Sequence, residues 1–227
     1  MQFDLLGAAA IGVFGFWFML RWEAKRGNAA GCALSLWDAG LMSGMSGLVI
    51  GRLVAMMSAG INPLADPFQI ILVRSGVSTV GATLGTLVVF VWIARKALLD
   101  AADGIAPAAL VGLAGWHAGC VATGSCLGVE SSLPWATGLP GSAVTRHPVE
   151  LYAAGALLVA GVGLALWKQH GRPLPGSVAG VALLAASLIR LATEPLRISL
   201  TGGPIYLYIV GALAGTTLLT WSLITKP

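Results

Sequence analysis

Charge is what this 227-residue sequence has least of. Asp, Glu, Lys and Arg make up 10% of it, against 57% hydrophobic residues, whereas a soluble domain carries about 25% charged residues. The deficit excludes a water-soluble fold, and the mean hydropathy of +0.86 agrees. Cysteine is scarce as well. Three residues are too few for a disulfide framework. The sequence has no low-complexity segment, no clear internal repeat and no stretch polar enough for a soluble domain. Its net charge of +4 lies mostly in short loops, where it sets orientation, so it does not argue for nucleic acid, and none is expected as a partner. No basic leader or cleavage site precedes the first apolar run near Leu5, so that run is expected to be a retained span rather than a signal peptide.

What is present is a series of apolar runs near membrane-span length, with 31 glycines that let spans pack closely. The expected class is all-α: a polytopic membrane protein with seven transmembrane helices in one domain, residues 1–227. The runs fall at roughly 4–20, 33–59, 69–94, 107–124, 148–167, 176–194 and 205–224. Arg74 enters the third, and Pro148 opens the fifth. Asp100, Asp103 and Gly104 read as a polar loop before the fourth, and residues 125–146 as a loop before the fifth. One alternate set of loops holds Arg21, Lys25, Arg26, Arg95, Lys96, Lys168, Arg172 and Lys226; the other holds only Arg146 and Arg197. The positive-inside rule then puts the N-terminus outside and the C-terminus in the cytoplasm.

Against this background a few charges stand out. Arg190, Glu194 and Arg197 recur at i, i+4 and i+7, a spacing that predicts one helical stripe. Arg52, Arg190 and Glu194 lie in or beside apolar runs, where a charge costs about 2.5–3.5 kcal/mol on insertion scales. A structural pair of Arg190 with Glu194 is the simpler explanation. However, Arg52, Arg74, Arg146, Arg190 and Arg197 outnumber Asp38, Glu150 and Glu194. A surplus of guanidinium groups in a low-dielectric setting suits an anion such as a phospholipid phosphate.

A second knot reads Arg146-His147-Pro148-Val149-Glu150-Leu151-Tyr152. Pro148 suits a first helical turn, and Glu150 would meet the positive end of the helix dipole. This is either a well-built helix start with an interfacial Tyr152 or a site in which His147 moves a proton. His117 and Cys120 share a helical face at metal-ligand spacing, with Cys126 beyond. No second pair completes a site, so neither a metal nor another cofactor is expected. A Cys120–Cys126 disulfide remains open.

Taken in order, these residues resemble the prolipoprotein diacylglyceryl transferase family. Asp38 through Gly51-Arg52-Leu53 is similar to its acid followed by Gly-x-x-x-Gly-Arg-Leu. Residues 146–152 resemble its Arg-His-Pro-Ser-Gln-Leu-Tyr, and Arg190-x-x-x-Glu194-x-x-Arg197 its Arg-x-x-x-Glu-x-x-Arg. Gly119-Cys120 through Gly128 to Pro134-Trp135 resembles its signature loop. The resemblance implies a seven-span bundle in the bacterial cytoplasmic (inner) membrane. It implies transfer of a diacylglyceryl group from phosphatidylglycerol, or another anionic phospholipid, to the lipobox cysteine of a prolipoprotein signal peptide. Arg190, Glu194, His147 and His117 are then expected in catalysis, and Arg52, Arg146, Arg197, Glu150 and Tyr152 at the phospholipid head group. Besides Val149 and Glu150 within the 146–152 motif, four functional positions of the family differ. His117 stands where the signature loop has arginine, Ser125 where it has an acid, Val80 where the third span has histidine, and Ala186 where the sixth has tyrosine. The departures leave a second expectation open, a non-catalytic relative that binds anionic lipid or a lipoprotein partner.

Overall fold

A computed structural model describes residues 4–26, 35–65, 76–120, 127–138, 141–171, 173–198 and 203–225. Among these are seven α-helices: α1 (Asp4–Lys25), α2 (Leu36–Ser58), α3 (Thr79–Ala94), α4 (Leu98–Ala118), α5 (Val149–His170), α6 (Ser177–Thr193) and α7 (Ile205–Ile224). A 3-10 turn, Glu194–Leu196, continues α6. Two short strands, β1 (Leu127–Glu130) in the expected loop and β2 (Arg146–Pro148) where that loop meets the fifth apolar run, pair antiparallel.

Among the described residues five segments are long and apolar enough to cross a membrane: α2, α4, α5, Ser177–Leu196 and α7. The outward faces of the helices carry large apolar side chains, such as Phe14 and Phe18 on α1 and Leu213 and Ile224 on α7. In water such a surface is a liability; in hydrocarbon it is the required one. The protein is therefore a polytopic membrane protein.

The chain divides into two compact units, residues 31–101 and a larger one built from residues 3–30 and 102–227. In the smaller unit α2 and α3 pack on each other. Gly51 and Gly81 lie at their crossing, where a Cβ on Gly51 would come within 2.9 Å of the Ala82 backbone nitrogen. Close packing of backbones is the main source of helix association in lipid. Arg52 is buried beside this crossing, and its Nη1 donates to the Gly76 carbonyl at 2.8 Å.

The larger unit is centred on α4. One face packs Ala106, Leu110 and Ala114 against Leu157 and Leu164 of α5 and Val178 and Ala182 of α6. Another packs Ala108 and Val111 against Met19 of α1 and Ala165 of α5. Ala186, at the position of the family's tyrosine, lies against the first cluster.

Several boundaries differ from expectation. Helix α4 starts at Leu98, so Asp100 and Asp103 lie inside it rather than in a loop. Asp100 falls in the first turn, where its charge complements the helix dipole. Asp103 caps another helix: its Oδ2 accepts from the Gly176 amide at 2.6 Å and its Oδ1 from the Ala179 amide at 2.8 Å. This supplies acceptors to the N-terminus of α6, whose own cap residue, Gly176, has no side chain to do so. Pro148 is the N-cap of α5 and not its first helical residue. Arg74, Ser125, Cys126 and Lys226 lie outside the described residues.

Candidate functional site

The site forms at one end of the larger unit, where α4 ends, α5 begins, α6 ends and α7 begins. Pro195 determines its shape. Proline cannot donate the amide hydrogen that would continue α6, so the chain tightens into the 3-10 turn and Arg197 leaves it in extended conformation. Arg190, Glu194 and Arg197 thus do not form one continuous helical stripe, as their spacing predicts. The turn folds Arg197 back onto Glu194, with Nη1 3.3 Å from Oε2. The Arg190–Glu194 pair holds, at 3.5 Å.

Glu150 is the hub. Its Oε1 accepts from Arg197 Nε at 2.9 Å, and its Oε2 lies 3.3 Å from Arg190 Nη1 and 2.6 Å from His117 Nδ1. Two guanidinium groups and two carboxylates therefore share one network, in which the arginine surplus inferred from the sequence disappears locally. Arg190 and Glu194 are each 6% exposed, a burial tolerable for charges only because each is paired. Burial pulls the Arg197 pKa down, but the Glu150 and Glu194 carboxylates outweigh it and hold the group above its ordinary value. The Arg190 guanidinium also lies 5.7 Å from the ring centre of Tyr208 on α7, within cation–π range.

A second group sits beside the start of α5. Trp135 Nε1 donates to the Tyr152 hydroxyl at 2.8 Å, and His147 Nδ1 lies 3.3 Å from the same oxygen. Arg146 pairs with exposed Glu130 at 3.5 Å and donates to the Gly128 carbonyl at 3.3 Å. Among the described contacts, neither Arg146 nor His147 joins the Glu150 network. Cys120 is disulfide-bonded and so offers no thiolate to a metal; its partner lies outside the described residues. Val80 is in the first turns of α3, in the smaller unit with Arg52.

The structure therefore brings together the Arg190, Glu194 and Arg197 set with Glu150 and His117, which the sequence nominated apart from it. It adds Tyr208 beside Arg190, and outside the network it gives Tyr152 and Arg146 partners in Trp135 and Glu130. Tyr208 carried a faint signal as a polar aromatic near the start of an apolar run. Glycines make room for the network: a Cβ at Gly203 would collide with the Glu194 carboxylate, and one at Gly128 with the Leu196 carbonyl.

The fold and the site define a membrane-embedded helical protein whose helix ends enclose a paired arginine–carboxylate network. The prolipoprotein diacylglyceryl transferase family matches residues 7–225, and the chain belongs to that family. A relative from Pseudoalteromonas translucida (strain TAC 125), a phosphatidylglycerol–prolipoprotein diacylglyceryl transferase, is 34% identical over 194 residues, covering 81% of this chain and 71% of the relative. One of the same name from Polynucleobacter necessarius subsp. necessarius (strain STIR1) is 32% identical over 189 residues, 78% of this chain and 71% of its own length. Another, from Polynucleobacter asymbioticus, is 33% identical over 139 residues, 58% of this chain and 52% of its own.

Proposed function

We propose that this protein transfers a diacylglyceryl group from phosphatidylglycerol to the lipobox cysteine thiol of a prolipoprotein. The observation that carries the reading is the Glu150–Arg190–Glu194–Arg197 network within a chain that belongs to the transferase family along nearly its whole length.

Each guanidinium has five N–H donors. Among the described contacts Arg197 engages only Nε and Nη1, so Nη2 remains to donate to a phosphate oxygen. Planar donors held in place by carboxylates need little reorganisation when charge develops on a departing phosphate. Arg190 and Arg197 hold the phosphate, and Glu194 fixes both. Arg146, Tyr152 and Arg52 are assigned to the head group, and His147 to proton movement with Tyr152 as its partner. The acyl chains require only the apolar faces of the helices. The domain spans the bacterial cytoplasmic membrane seven times, with the N-terminus outside. No cofactor takes part.

The test is transfer of labelled phosphatidylglycerol to a lipobox peptide by the purified protein. Transfer is expected, with loss of about 100-fold or more in Arg190→Ala, the scale of removing one preorganised charge donor. Absence of transfer, with an unchanged phenotype of Arg190→Ala in cells depleted of their own transferase, would refute the reading.

A further inference from the structure

We infer that His117 and Glu150 form a proton-accepting dyad that takes the proton of the attacking thiol. The inference rests on the transferase reading above; it gives the thiol proton to His117 rather than His147 and assigns Glu150 to positioning the base rather than to the head group.

The chemistry requires such a group. Sulfur forms a bond to the glyceryl carbon, the carbon–oxygen bond to phosphate breaks, and the electron pair leaves on the phosphate oxygen. The S–H proton has to go elsewhere. A free thiol is mostly protonated at neutral pH, and the thiolate is the nucleophile, so a nearby base accelerates attack.

Geometry selects His117. Its Nδ1 lies 2.6 Å from Glu150 Oε2. Glu150 faces Arg190 and Arg197, a setting that keeps it ionised and acceptor-only, so the hydrogen in that contact belongs to Nδ1. The neutral ring then presents Nε2 as its basic nitrogen, and among the described residues no group donates to Nε2. Both side chains are 13% exposed, so neither is sealed from a substrate.

Glu150 cannot swing away easily, because Arg197 holds one oxygen and Arg190 the other. It therefore fixes the ring's tautomer and orientation, the task of the third group in a nucleophile–base–carboxylate arrangement. Charge balance supports the same assignment. Two arginines and two glutamates cancel, so the network is neutral while His117 is neutral. On accepting the thiol proton it becomes singly positive as the departing phosphate gains a negative charge. His147 lies against the Tyr152 hydroxyl at 3.3 Å and, among the described contacts, has no carboxylate to orient its ring or offset a gained proton, which leaves it a lesser part than His117.

The test uses the full-length protein in mixed micelles with phosphatidylglycerol and a lipobox peptide. His117→Asn keeps a donor for Glu150 through Nδ2 and removes the base. Retained phospholipid, read by native mass spectrometry, should match the parent, while kcat falls about 100-fold or more at nearly constant KM. His117→Ala should regain transfer in proportion to added imidazole. Glu150→Gln should lower kcat and weaken the dependence of rate on pH. Transfer by His117→Asn within threefold of the parent overturns the dyad and leaves the transferase reading standing. Loss of bound phospholipid in step with transfer also overturns it, because His117 would then be a phosphate ligand. A parent protein that transfers nothing removes the reading and the dyad together.

Discussion

Arg197 shows how much a single side chain can hold here. Its Nε and Nη1 reach two different carboxylates, a task for a planar fork and not for a point charge. Arg197→Lys preserves the charge but loses that fork, and transfer is expected to fall about tenfold or more in the labelled-lipid assay. Gly203 is as constrained from the opposite direction. Gly203→Ala places a methyl group on the Glu194 carboxylate, which must move and release Arg190 or Arg197. Transfer should drop while the protein still elutes as a folded species in detergent; a variant with full activity would show that Glu194 need not stay where it is. The single residues were legible in the sequence because a charge in an apolar run is expensive. Of their pairings, Arg190 with Glu194 was legible from the spacing; those with Glu150 were not. His117 and Glu150 are 33 residues apart, and only the packing of α4 against α5 brings them together. Both are also positions where the chain departs from the family motifs, histidine for arginine and glutamate for glutamine. Their contact turns two separate departures into one exchange.

Among the elements, the last helix, Ile205–Ile224, coincides with its apolar run, because Pro204 and the polar chain end bound it unambiguously. Helix α4 is the opposite case. Its acidic first turns read as a loop, yet Asp103 faces the α6 N-terminus and replaces solvent there. A capping residue 73 positions from the helix it caps leaves no local pattern to read. Asp103→Ala is expected to lower stability by about 1 kcal/mol, the usual cost of a lost cap, seen as earlier thermal unfolding in detergent. Transfer per folded molecule should be unchanged, since the network lies at the other end of α4. The small β1–β2 pair was equally illegible, its strands being only four and three residues long. The 3-10 turn was half legible: Pro195 announced a break but not that the chain would turn Arg197 back.

Across the whole molecule, the membrane class followed from composition, because hydrocarbon imposes one strong constraint on every span. The larger unit carries polar contacts at both ends of α5. Glu150 marks one end. At the other, Lys168 Nζ lies 2.8 Å from Glu23 Oε1 and donates to the Gly104 carbonyl at 3.3 Å. Eighteen residues of helix separate the two levels by about 27 Å, close to the hydrocarbon thickness of about 30 Å. Removing one partner of a buried pair costs roughly 3–5 kcal/mol, whereas replacing both by apolar groups is often neutral. Lys168→Ala should therefore destabilise the protein strongly, and Glu23→Leu with Lys168→Met should recover most of the loss, read as melting in detergent. A reporter fused at the C-terminus should be active on the cytoplasmic side; a periplasmic signal would reverse the proposed orientation.

The Glu23–Lys168 pair also bears on the order of events during synthesis. The two residues are 145 positions apart. At about 5–20 residues per second, roughly 7 to 30 s pass between the emergence of one and the other. Over that interval the α1 carboxylate lacks Lys168, the partner it has in the folded protein, so it stays hydrated at the membrane edge. The seam between α1 and α5 closes only after the helices between them have been made, and the ribosome sets its timetable.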